Sequence, residues 1–148
     1  MKNKPKIVVD TNVFANGLLY FDDDCEKIMN LFDENKVTFL FSQNTAGEFF
    51  YVLEKMARKH VQGVDTRTEF LNHLVYIFYH SRSVNTTFST VTPIPKCEDP
   101  EDDIFLELAV HGKADYLVTD DIKSGMHNVD LEDTVVLTSI EFMKLYNE

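Results

Sequence analysis

The chain has 148 residues, 44% of them apolar, with 12 Phe and 6 Tyr, which supports one globular core and excludes both disorder and two domains of ordinary size. Its formal net charge of −11, from 25 acidic and 14 basic residues, excludes a broad basic surface that would hold nucleic acid by neutralising phosphates. No apolar run reaches membrane length, no signal-type apolar segment follows MKNKPK, and Cys25 and Cys97 show neither zinc nor framework spacing. One soluble cytoplasmic domain over residues 1–148, with reduced thiols, is therefore expected.

In chain order, Lys6 to Val9 is a short apolar run closed by polar residues and predicts a buried parallel strand, with Asp10 at its carboxyl end. Asp24 to Glu34 carries Ile28, Leu31 and Phe32 at helical spacing, and Val37 to Phe41 is a second run of strand length. From Gln43 to Lys59 the positions Phe49, Val52, Leu53 and Met56 mark one helix face, with Glu48 at its edge. A further helix is predicted over Asp65 to Tyr79, and Ser83 to Pro95 reads as a strand or extended connection. Asp99-Pro100-Glu101-Asp102 starts a helix that ends near Gly112, with a cap residue, a proline and first-turn acid. Tyr116 to Val118 and Thr134 to Leu137 are two more strands, and Ser139 to Tyr146 is a terminal helix.

Strands alternating with helices imply a parallel α/β sheet, whose sites lie at the carboxyl ends of strands. Two strands here end in carboxylates, VVDTN at Asp10 and LVTDD at Asp120 and Asp121. Taken alone each acid has a plain alternative: Asp10 is equally a helix or turn cap, Glu48 a solvated rim residue, and Asp102 and Asp103 first-turn acids that favour the helix dipole. Their joint placement, at two strand ends, one helix start and one helix edge, lets them converge. Converging carboxylates repel unless a cation holds them. The ligands are all oxygen and no Cys/His set exists, so the expected cation is Mg²⁺ or Mn²⁺. A carboxylate site without a phosphate-binding glycine loop suits phosphodiester hydrolysis by an activated water.

These residues resemble the PIN domain nucleases, and the likeness covers nearly the whole chain. The matching stretches are VVDTNVF with Asp10, SQNTAGEFFYVL with Glu48, DPEDDIFLELA with Asp103, and ADYLVTDD with Asp121. The resemblance implies an α/β fold, a three-layer α/β/α sandwich around a mainly parallel sheet, and Mg²⁺- or Mn²⁺-dependent cleavage of single-stranded RNA. It implies that Asp10, Glu48, Asp103 and Asp121 are the metal-binding catalytic acids, with Thr11, Asn12 and Thr119 as polar supports. Asp102 and Asp120 are supporting acids that replace their neighbours if a boundary moves by one residue; Asp103 is preferred for its register against Ile104-Phe105-Leu106. Where many relatives carry a further acid, this chain has Ile122, Lys123 and Ser124. The DPEDD helix and the length are similar to those of prokaryotic PIN proteins that serve as toxins of toxin-antitoxin pairs, which implies an antitoxin protein as partner.

So acidic a chain needs local positive charge to hold RNA. Lys55, Arg58 and Lys59 cluster with His60 at the end of the helix carrying Glu48, and Lys2, Lys4 and Lys6 precede the first strand. Each is readily a dipole-favouring or solvated residue; together they predict a phosphate track beside the acids. The expected assembly is a homodimer, whose second copy is the other source of positive charge. The alternative function is a catalytically silent or receiver-like module that uses the acidic pocket for binding or signalling. A receiver would place adjacent acids after the first strand and a phosphoacceptor after a later one, and neither VVDTN nor the run ending in Ser42 matches that.

Overall fold

The computed structural model describes residues 4–88, 90 and 93–148. Its elements are β1 (Lys6–Val9), α1 (Thr11–Leu18), α2 (Asp23–Asp33), β2 (Thr38–Phe41), α3 (Gln43–His60), α4 (Val64–Tyr79), β3 (Arg82–Ser83), α5 (Asp103–Gly112), β4 (Tyr116–Val118), β5 (Val135–Leu137) and α6 (Ser139–Tyr146). The five strands form one sheet in the order β3-β2-β1-β4-β5, and every pairing is parallel. The chain moves outward from β1 to β2 and β3, then returns to β1's other side for β4 and β5. That reversal beside β1 is a topological switch point, where open parallel sheets form their crevice.

Side chains alternate between two cores, as the strand period requires. Ile7, Val9, Phe39, Phe41 and Val118 join the core under α1, α2, α3, α4 and α6, whereas Val8, Leu40 and Leu117 join the smaller one under α5. The architecture is therefore the expected α/β/α sandwich, with more helices on one face than the other. Phe14 is the ring hub of the larger core, with centroids 4.8 Å from Phe49, 5.3 Å from Phe39 and 5.8 Å from Phe41. Aromatic pairs at such separations add to the burial of their area.

The expected strands and helices recur within a few residues, with three departures. Helix α1 was not expected as an element: its eight residues are too few to stand alone. Burial of Val13, Phe14 and Ala15 stabilises it, and a Cβ at Gly17 would lie 2.8 Å from the Cys25 carbonyl oxygen of α2. The stretch from Ser83 to Pro95 is a strand only at its start, in β3, while Ser89, Val91 and Thr92 fall outside the described residues. The helix after Asp99 begins as a 3-10 turn over Pro100–Asp102 before becoming α5. Among the described residues no helix is long and apolar enough to cross a membrane, and Cys25 and Cys97 are free thiols.

Candidate active site

Asp10 follows the last residue of β1 and caps α1, so its carboxylate stands at the carboxyl end of the central strand. Its amide donates to the Val118 carbonyl across a 3.0 Å gap, which ties the exits of β1 and β4 together. The carboxylate is only 5% exposed, and its Oδ2 accepts the hydroxyl of fully buried Thr119 at 2.8 Å. Thr119 Oγ1 in turn accepts the Asp121 amide at 3.2 Å, so one hydroxyl links the acids of the two strand ends. Thr11, in the first turn of α1, donates to Glu48 Oε2 at 2.6 Å and orients the carboxylate arriving from α3. Asn12 is exposed on the same turn.

Burial pushes the Asp10 carboxyl up to about 6; the charges of Glu48 and Asp121 add to the rise, while the Thr119 hydroxyl and the Asn12 backbone oppose it. Asp102 is pushed up to about 7, first by burial and then by the charges of Asp10, Asp99, Asp121 and Glu48. Asp102 thus shares one field with the other three acids. Among the described residues no basic side chain figures among the causes acting on either group.

The structure places Asp102 and Asp103 differently. Asp103 Oδ1 accepts the Cys97 amide at 2.9 Å and the Cys97 thiol at 3.3 Å, so it pins the chain segment leading into α5. In the tighter 3-10 turn successive side chains diverge by about 120°, which separates the directions of Asp102 and Asp103. A similar division occurs after β4. Asp120 Oδ1 accepts the Ser139 amide at 2.7 Å and its Oδ2 accepts the Ser139 hydroxyl at 2.8 Å, so Asp120 anchors the start of α6. Asp121 faces the acids instead, with Oδ1 taking the Ser124 amide at 3.2 Å.

Two supports escaped the sequence reading. Ser124 is buried and donates its hydroxyl to the Asp121 carbonyl at 3.0 Å, which closes the turn. His127 Nε2 lies 2.7 Å from the Thr119 carbonyl oxygen; a carbonyl only accepts, so this nitrogen carries the proton. Neither has a short motif that would mark it in sequence.

The basic residues divide too. Arg58 donates from Nε and Nη2 to Glu54 Oε1 at 3.0 and 2.6 Å, so its charge is already engaged. Lys55 Nζ lies 6.0 Å from the Tyr51 ring centroid, and Lys59 is exposed. Lys6 opens β1 and donates to the Gly112 carbonyl, while Lys4 donates to Asn35. Both stand at the end of the sheet opposite Asp10, which removes them from any track beside the acids; Lys2 lies outside the described residues.

The donors suit a hard divalent cation: carboxylates and hydroxyls, with unbalanced negative charge at Asp10 and Asp102. They are spaced more openly than a closed ligand set, since among the described residues no three His, Cys, Asp or Glu side chains are close enough to hold one ion jointly.

The family model described as PIN domain matches residues 6–123, well over half of the chain. Among solved structures, VapBC2 from Rickettsia felis bound to a DNA fragment from its promoter matches with a TM-score of 0.52 and 14% identity, over 90% of this chain and 98% of the other. At that identity the likeness shows the fold alone. No curated protein matches the chain.

Proposed function

This chain belongs to the PIN domain family, and from that premise we propose that it is a metal-dependent ribonuclease that hydrolyses single-stranded RNA. The observation that carries the reading is the shared field of Asp10, Glu48, Asp102 and Asp121, in which the buried Asp10 and half-buried Asp102 carboxyls resist ionisation. Asp102 takes the place of Asp103 in this set. Bound there, Mg²⁺ or Mn²⁺ would supply an activated water and positive charge against the phosphate. The chain's own residues set the stage: Thr119 fixes Asp10, Thr11 fixes Glu48, and Ser124 and His127 hold the turn that presents Asp121.

The test is cleavage of a labelled single-stranded RNA with and without Mg²⁺, beside a melting curve. Activity that requires the metal, a melting temperature raised by it, and loss of both effects in Asp10→Asn are expected. Full activity in EDTA or in that variant removes the mechanism. We further take the protein to be a cytoplasmic, homodimeric toxin; its pairing with an antitoxin protein is in keeping with its likeness to the VapBC2 structure. Growth arrest on expression, relieved by a protein from an adjacent reading frame, tests that role.

A further inference from the structure

Helix α3 runs away from the acids carrying Glu48, Lys55 and Lys59 at i, i+7 and i+11, which places the three on one line along its surface. Tyr51 flanks that line, one turn beyond Glu48. Its neighbours Phe49 and Phe50 belong to the core ring network, with Phe49 4.8 Å from Phe14 and Phe50 5.7 Å from Phe78. Tyr51 differs from both. It is 67% exposed, pairs with no other ring among the described residues, and has the Lys55 ammonium 6.0 Å from its centroid. A single exposed aromatic is ordinary on a protein surface. An exposed ring beside a lysine, about 4.5 Å along the axis from an acid of the site, is the combination that proteins use to hold single-stranded nucleic acid, with the ring under a base and the cation on the next phosphate.

We infer that Tyr51 and Lys55 form a base-stacking subsite that guides single-stranded RNA toward Glu48 and Asp10. The inference rests on the ribonuclease reading and deepens it. It also resolves how a chain of net charge −11 grips RNA: stacking on a π-face needs no further positive charge, so Lys55 and Lys59 suffice and Arg58, held by Glu54, is dispensable. A duplex offers no free base face to the ring. The subsite therefore selects unpaired strands without reading their sequence.

The experiment is fluorescence anisotropy of a short labelled oligouridine titrated with the full chain in the Asp10→Asn background, which keeps the strand intact. Tyr51→Ala is expected to weaken binding on the order of tenfold, Tyr51→Phe to stay within about twofold of its parent, and Lys55→Ala to weaken binding and flatten its salt dependence. Binding of a blunt RNA duplex should not respond to Tyr51→Ala. The exposed ring makes these variants safe for folding. Unchanged affinity in Tyr51→Ala overturns the subsite and leaves the ribonuclease reading standing. Unchanged RNA affinity together with altered self-association in that variant also overturns it, by assigning the ring to a protein contact. If the parent chain with Asp10 restored neither binds nor cuts the strand, the ribonuclease reading itself fails and the subsite falls with it.

Discussion

Adjacent acids occur at the start of α5 and in the turn after β4, and the two regions divide their labour in opposite order. At α5 the first acid, Asp102, stays in the shared field, and the second, Asp103, is committed to the Cys97 amide. After β4 the first acid, Asp120, is committed to Ser139, and the second, Asp121, stays with the group. What separates the members of each pair is whether the carboxylate is tied to a distant segment, as Asp103 is to Cys97 and Asp120 to Ser139, or kept beside the other acids. Position within the pair does not decide the matter. Each region thereby commits one acid to the scaffold and leaves one in the shared field.

The largest expected effect separates the members of the α5 pair. Asp102→Asn should lower kcat/KM for RNA on the order of a hundredfold or more, as loss of a charge aimed at the reacting centre does. Asp103→Asn should stay within about threefold in rate and lower the melting temperature instead. Initial rates and melting curves on both variants decide it; equal rate losses would break the distinction.

A second contrast is readable through pH. Asp10 and Asp102 bind a proton more tightly folded than unfolded, so the stability they contribute is full below their ordinary value of 3.8 and is lost as pH rises through about 6 and about 7. In EDTA the melting temperature should therefore fall from about pH 4 to pH 8, with Asp10 accounting for on the order of 3 kcal/mol, most of it below pH 6. Mg²⁺ should remove much of the slope by replacing the proton. Asp102→Asn should flatten the slope and Asp103→Asn should leave it. A metal-free profile that climbs through this range would refute the mutual repulsion.

The smallest effect belongs to the pair after β4. Asp120→Asn weakens two hydrogen bonds to Ser139 and should cost about 1–2 kcal/mol, seen as a melting temperature lower by a few degrees. Asp121→Asn should leave the melting temperature unchanged or higher and strike cleavage instead. A reversal of those two outcomes would exchange the roles assigned here.

The sequence alone determined the strands, most helices and the acids at strand ends, because those follow from local periodicity: apolar runs must be buried, and polar residues must end them. It singled out Asp10 and Glu48 with no competing acid beside them, since neither has an acidic neighbour in sequence. Only the tertiary structure gave Asp102 and Asp103 different surroundings. That difference turns on one residue of rotation and on the Cys97 amide, which the intervening fold brings within reach. The assignment of Asp120 depends on Ser139, nineteen residues away, and that of Thr119 on Asp10, more than a hundred away. Tertiary structure likewise formed α1, whose short helix needs the sheet and α2 beneath it, and moved Lys4 and Lys6 to the far end of β1. In each case the deciding partner lies outside the window over which sequence periodicity acts, so the physical cause was absent from the local pattern.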